Sequence, residues 1–585
     1  MAGDERTLAT WLASLDDDAL AELLRRRGVS AAASWRDFFD AAEALLEPSS
    51  IDRALARLDR GELAALAAGT DGLTPPTVVA QGLARPGGAV YAPVAERIAA
   101  LRITTGPADP PADAAPVPAA AAAEVTATVT AGGAPASAAE TASAAERIFT
   151  ASASLADVLL AALHVPLTRT GAGAVSAADR KRLTESGAIG APEDLDDLIA
   201  AGEAAELLAP IGRELVVTTA GEQWLDGGTV ARWVTIAEGY RRQLPAGLRT
   251  PQGGLIDPAG WAGAYPLNTE WPAQAASLRR TALRWGILTA DGTVPPWSRG
   301  LVEGTSLDTD SLRDALPAEI DRIYLQADLT AVAPGPLAPR LDLRLRRIAR
   351  RESRAQASTY RFTAESIGAG LTDGESAETI RDFLRELSLT GIPQPLDYVI
   401  DTTAARHGSV TVRSDAGNPN TVVESSDPHL LDLVAIDQAL RPVGLVRHGD
   451  VLVSRVGRDH LFWALADARY PVVALDEHGA PESLRRRTAA APASAQPASD
   501  VYARLIGSLR TSGGEGDAAW LERELEQAVR TKSIIMVTAQ INPAETRTFT
   551  LEATGLGGGR LRGRDRGADV ERTLPISTIV NVSTT

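Results

Sequence analysis

From Gly106 to Glu146 the chain reads GPADPPADAAPVPAAAAAEVTATVTAGGAPASAAETASAAE. Few large apolar side chains occur there, so the stretch cannot offset its own ordering entropy by burial. A chain interrupted in this way does not fold around one continuous core. A shorter stretch of the same kind, RRRTAAAPASAQPASD, runs from Arg485 to Asp500. The two divide 585 residues into a head (1–105), a long middle (147–484) and a tail (501–585), a length that suits several domains. The fold class expected is α+β multidomain: a helical head, a winged-helix-like and α/β middle, and a small β-barrel-like tail.

The head reads as helix. Leu12, Leu15, Leu20, Leu23 and Leu24 fall on apolar faces, Asp16 to Asp18 sit at a helix start, and Arg25, Arg26 and Arg27 close its end. This charge order suits the helix dipole, and the arginine run reads as a solvated last turn.

Between 147 and 320 two stretches resemble winged helices. PEDLDDLIAAGEAAELLAPIGRELVVTTAGEQWL gives a helix, a hairpin around a Gly-Arg turn, and a helix start. SLRRTALRWGILTADGTVPPWSRGLVE is a second candidate. Asp194, Asp196 and Asp197 read as a solvated helix face. From 321 to 484, Thr363 and Ser376 are predicted N-caps. Ile380, Phe383, Leu384 and Leu387 follow the helical stripe after Ser376. Gly391 and Pro393 stop that helix, Pro395 suits the first turn of the next, and Gly408 ends it. The exposed face of this second helix carries Asp397, Tyr398, Asp401, Thr402 and Arg406. Two acids there suit a DNA groove poorly. SVTVR and NTVVES then read as strands, and alternating helix and strand continue to residue 479.

Composition excludes several chemistries. No cysteine occurs, which removes disulfides, thiol nucleophiles and Cys-type zinc sites. Only two lysines, Lys181 and Lys532, stand against 56 arginines, and neither lies in a Gly-Lys-Ser/Thr phosphate loop. The six histidines form no HxH or HxxxH pair, so neither metal nor cofactor is expected, and no catalytic residue is assigned. No signal pattern opens the chain and no run of 18 apolar residues follows, so a cytoplasmic, nucleoid-associated protein without a membrane partner is expected. The formal net charge of −17 opposes nonspecific binding of the whole surface to polyanions.

Against that charge, RLDLRLRRIARRESR, Arg340 to Arg354, holds seven arginines and two acids. Read as one helix, it places Leu337, Leu341, Leu345 and Ile348 on one stripe. Arg340, Arg344, Arg347, Arg351 and Arg354 form a second beside it. Such a row suits phosphate contacts, and it equally suits an internally paired face. A second basic site, Arg560, Arg562 and Arg564 in GGGRLRGRDR, is expected on a turn between strands of the tail.

Tyr360-Arg-Phe-Thr363, Ser366, Leu387-Ser388, Pro393 and the Arg406-His407-Gly408 turn carry a family resemblance. Together with YLQADLTAVAPGPL and VVESSDPHLL they make the segment from about Tyr324 to Gly479 resemble the N-terminal domain of XPB-type DNA helicases. The nearest form is that of stand-alone "helicase-associated" proteins. The tail more weakly resembles a WYL-type domain, with Ile534-Ile535-Met536 where the defining Trp-Tyr-Leu would stand; in such domains basic residues face a nucleic acid or nucleotide-like ligand. The resemblances imply a non-catalytic DNA-associated accessory protein in repair or genome maintenance. Its expected partners are DNA, held weakly through its backbone, and a DNA helicase or other repair protein. A transcriptional regulator with a ligand-sensing tail and a protein–protein scaffold are the alternatives.

Overall fold

The computed structural model describes residues 2–68, 74–101, 136–354, 357–415, 420–482, 484, 497–512, 517–542 and 545–584. Most of both predicted linkers, 106–135 and 485–496, lies outside these residues. The architecture is mixed α/β and multidomain, with five apolar clusters and four sheets among the described residues.

Asp16 caps the helix Asp17–Arg27 by accepting from the Ala19 N–H, and Gly28, at φ +64°, closes it in the left-handed conformation that glycine tolerates. Leu8, Leu12, Leu20, Leu24, Leu45 and Leu55 are buried together as the head core. The arginine run that ends this helix is not solvated throughout. Arg25 and Arg26 pair with Glu22, but Arg27 turns inward and is buried. Its guanidinium donates to the Gln81 carbonyl (2.9 Å), to the Leu45 carbonyl and to Ser50 Oγ (2.9 Å), so it ties three helix ends together. Those acceptors explain why a charge is tolerated inside the head. The head core is completed from the far end of the chain: Tyr502, Leu505, Ile506 and Leu509 of the helix Ala498–Ser512 pack within it.

The first part of the middle is built around the helix Ala138–His164, whose N-cap Ser137 accepts from the Glu140 N–H. This helix begins inside the stretch expected to be linker. Its alanines are the reason: Ala144 and Ala145 are buried, and small side chains let the helix approach its neighbours closely. At Gly286, φ +55°, a Cβ would lie 2.8 Å from the Ala144 carbonyl oxygen. By length and composition the helix could cross a membrane, yet half of its most apolar window is buried against protein. Ile148, Leu155 and Leu159 pack with Trp233, Trp285 and Trp297. The indole N–H groups of Trp233 and Trp297 are satisfied by the Trp285 and Gly286 carbonyls at 2.7 and 2.9 Å.

The helix Asp194–Ala204, the hairpin of Leu208–Ile211 with Glu214–Val217, and the helix Thr219–Asp226 follow the predicted order. Asp196 of the first helix is exposed as expected, but its neighbours Asp194 and Asp197 do not continue a solvated face. Asp194 and Asp197 lie 2.5 and 3.7 Å from Arg284 of a neighbouring helix, and Asp197 is buried. In the second candidate stretch the helix Trp271–Arg284 is followed by 3₁₀ and short α turns, with no strand pair among its described residues.

Residues 323 to 400 share a further core, with Leu345, Ile348, Tyr360, Phe362, Phe383 and Leu384 at its centre. Thr363 and Ser376 each form a capping box, with Ser366 and Thr379 returning the bond. The helices Ala377–Leu387 and Gln394–Arg406 and the antiparallel pair Val410–Ser414 with Thr421–Ser425 match their predicted places. The pair belongs to the next core, however, because Val410–Ser414 also takes Val472–Leu475 as a parallel neighbour in a six-stranded sheet.

The tail sheet runs in the order Val570–Pro575, Arg560–Asp565, Glu545–Gly557, Ile534–Asn542, Ile579–Thr584. It is open: its two edge strands pair with inner strands and not with each other. The barrel-like tail expected from sequence is therefore corrected. The helix Asp517–Thr531 lays Leu521, Leu525 and Ala528 against Ile535, Val537 and Leu551, and this covers the apolar face without closure.

Candidate nucleic-acid interface

Pro339 sits in the first turn of the helix Pro339–Ile348, Asp342 adds a carboxylate there, and Leu345 and Ile348 are buried. The helix stops at Ala349, whose φ of −143° and ψ of 149° are extended. Arg350–Arg354 then forms a strand that pairs with Ser358–Arg361, setting Arg351 opposite Tyr360. The expected single helix through Arg354 is thus broken. Hairpin pairing with the Tyr360 strand overrides the local helical pattern, so Arg351 and Arg354 do not continue the row of Arg340, Arg344 and Arg347.

The fates of these arginines differ. Arg344 makes a two-pronged pair with Glu375 (2.9 and 3.0 Å) and stacks 4.5 Å from the Phe383 ring centre. The Arg344 hydrogen bonds hold the Glu375 carboxyl below its ordinary range. Arg351 donates to Asp157, and so does Arg346, at 2.6 Å. Asp157 is 4% exposed and stands on the core helix Ala138–His164. Asp342 lies 3.6 Å from Arg346 and 3.8 Å from Arg351, and it accepts from the Tyr360 hydroxyl at 2.5 Å. This network joins the 323–400 unit to the unit before it. Arg340 and Arg347 remain exposed and form no ion pair among the described residues. The Arg354 side chain lies outside the described ones.

Sequence reasoning missed Asp157 and Arg346. The signal was a lone acid inside the apolar run SLADVLLAALH, since an unpaired carboxylate there would be costly.

Arg347 also lines a cleft of about 1570 Å³ between the core helix, the arginine helix and the six-stranded unit. Arg406 and Arg469 line it too, but Glu222, Asp226, Glu365, Asp373 and Asp467 do as well, and Arg469 pairs with Glu365 at 3.4 Å. Burial lowers the pKa of His407, another of its lining residues. Walls of mixed sign do not make a track for a polyanion.

The tail arginines lie on a strand, not on the expected turn. Gly558 and Gly559, at φ +58° and +72°, form the two-residue turn between Gly557 and Arg560; two successive positive φ values favour glycine there. In the strand Arg560–Asp565, Arg560, Arg562 and Arg564 face solvent, while Leu561, Gly563 and Asp565 are buried. Arg564 is bonded to Asp569 at 2.9 Å. Arg560 and Arg562 form no ion pair among the described residues. Their neighbours in register are Gly557 and Pro575, and Gly555 and Thr573.

Residues 323–449 match the family described as helicase conserved C-terminal domain. The match covers less than a quarter of the chain and contains the whole arginine helix, its hairpin and the two capped helices. The chain thus carries a helicase-related domain, consistent with nucleic-acid association. No curated protein matches the chain.

Proposed function

We propose that this chain is a helicase-associated accessory protein without a motor of its own, cytoplasmic and nucleoid-associated, acting in DNA repair or genome maintenance. The observation that carries the reading is the helicase-related span 323–449, docked through Arg346 and Arg351 onto Asp157 of the preceding unit. The absence of a phosphate-loop lysine from the sequence supports the non-catalytic part. In the finer reading, residues 321–484 act as an XPB-type N-terminal domain and the tail as a WYL-like one. DNA is held weakly along its backbone by the displayed arginines Arg340, Arg347, Arg560 and Arg562.

The test is ATP turnover by the pure full chain with and without DNA, beside DNA binding at physiological salt. No hydrolysis and affinity on the order of micromolar are expected. Turnover on the order of one per second that tracks the protein peak overturns the accessory reading. A second reading, a protein–protein scaffold, is favoured by the internal pairing of Arg344 and Arg351 and by the mixed charge of the cleft. It predicts no DNA binding even at low salt.

A further inference from the structure

The head meets the tail through the helix Ala498–Ser512, through the helix Asp517–Thr531 and through the strand Ile579–Thr584, which lies against the helix Ala2–Ser14. At the first, the helix Ala498–Ser512 is built into the head core. Its Tyr502 hydroxyl donates to the Val29 carbonyl at 2.7 Å, and Arg510 donates to the carbonyls of Ala13 (2.6 Å) and Leu15. At the second, the helix Asp517–Thr531 lies by the helix Ala2–Ser14, and the contact is chemically unlike the first. Glu5 and Glu524 are 6% and 3% exposed. One carboxyl oxygen of each, and the side-chain oxygen of Gln527, are buried without any hydrogen-bond partner. Three buried acceptor atoms without a donor, contributed by these two helices, are an arrangement that costs stability unless a proton is supplied.

The surrounding charges do not supply one. On the first helix, Asp4 is taken by Arg85 and the Ala92 N–H. Arg6 and the amino terminus act in favour of ionised Glu524 and Glu5, respectively. From the helix Phe38–Leu46, Glu43 opposes Glu5 and is itself paired with Arg530 at 3.2 Å. From the C-terminal helix, Gln527 bonds to Glu5. Burial nevertheless prevails at both carboxyls and raises both, and Glu5 adds to the effect on Glu524.

We propose that this junction is a proton-operated latch. With protons on the Glu5 and Glu524 carboxyls, the helix Asp517–Thr531 stays seated on the head. Ionisation of the pair lifts it off, together with the sheet it covers, while Ala498–Ser512 remains in the head core. The sign follows from the proton balance. The seated state binds protons more tightly, so its added stability is complete below the ordinary carboxyl value of 4.5 and is lost as pH rises through the raised values. A carboxamide has the shape of the protonated group and cannot ionise, so Glu5→Gln with Glu524→Gln locks the latch shut.

Hydrogen exchange of the full chain, corrected for the intrinsic pH dependence of exchange, tests this between about pH 5 and about pH 8. In the wild type, protection of 517–531 is expected to fall by roughly tenfold or more across the range while that of 498–512 holds. In the double variant both hold. A flat wild-type profile overturns the latch. So does a joint loss of protection in both helices, which marks opening of the head itself, or a double variant as pH-sensitive as the wild type. If the double variant does not fold, the wild-type profile and the single Glu524→Gln variant decide in the same terms.

Discussion

The segment Arg340–Arg354 and the strand Arg560–Asp565 are alike in sequence, each dense in arginine within an acidic chain, and the structure uses them differently. The first lies between two packed units, on a helix whose buried face carries Leu345 and Ile348 and on the strand that follows it. Arginines beside such a face meet the acids of the neighbouring unit, and Arg346 and Arg351 converge on Asp157 while Arg344 is held by Glu375. The second lies on a sheet whose core face is already covered, so alternation sends every second residue outward. A basic run therefore reports on nucleic-acid contact only once its element and its neighbours are known.

The sharpest way to break this contrast is at Asp157. Asp157→Ala leaves two guanidiniums in the interface with only the more distant Asp342, at 3.6 and 3.8 Å, to share. Their side chains are only 22% and 15% exposed, so solvent compensates poorly. A loss of about 3–5 kcal/mol is expected in the urea transition of the joined units, followed by tryptophan fluorescence. Arg346→Leu with Arg351→Leu on the Asp157→Ala background should recover part of it, because the uncompensated charges go too. A loss within about 0.5 kcal/mol for Asp157→Ala would mean the network is no stronger than a surface pair.

Arg344 comes next. Its side chain is 39% exposed, so solvent screening discounts the pair, and Arg344→Ala should cost about 1–2 kcal/mol, stacking on Phe383 included. The pH dependence identifies the cause. Arg344 holds Glu375 below its ordinary value, so the pair contributes stability above that value and loses it as pH falls through the lowered one. The deficit of Arg344→Ala at neutral pH should shrink on acidification, read from melting temperatures along a pH series. A deficit that stays constant would assign the loss to packing alone.

How much of this was legible can be argued from the same residues. The caps Thr363 and Ser376, the stripe from Ile380 to Leu387 and the glycine at 408 depend on a few neighbours in sequence, and such signals survive folding. The break at Ala349 does not. Arg350 to Arg354 keep helical spacing, and only the partner strand Ser358–Arg361, further along the chain, makes them extended. Arg27 and Asp197 fail for a related reason: local charge order predicts solvent, while acceptors or a guanidinium from distant segments draw them inside. The open tail sheet depends on a helix fitting one face, which strand patterns alone do not report.

The smallest expected change in stability belongs to the tail and tests the other half of the contrast. Arg560→Gln with Arg562→Gln removes two exposed charges that form no ion pair among the described residues, beside Gly555 and Gly557 where nothing crowds a side chain. Unfolding should stay within about 0.5 kcal/mol of the wild type. If these arginines hold backbone phosphate, affinity should fall for every DNA sequence alike, and the slope of log affinity against log salt should flatten by about two. Arg340→Gln with Arg347→Gln is the matched pair from the first region. An equal effect there would extend the surface across both regions. An effect confined to the tail would make the helicase-related span a docking unit and the tail sheet the face that meets DNA. Unchanged DNA binding in both variants would leave the displayed arginines without the proposed role.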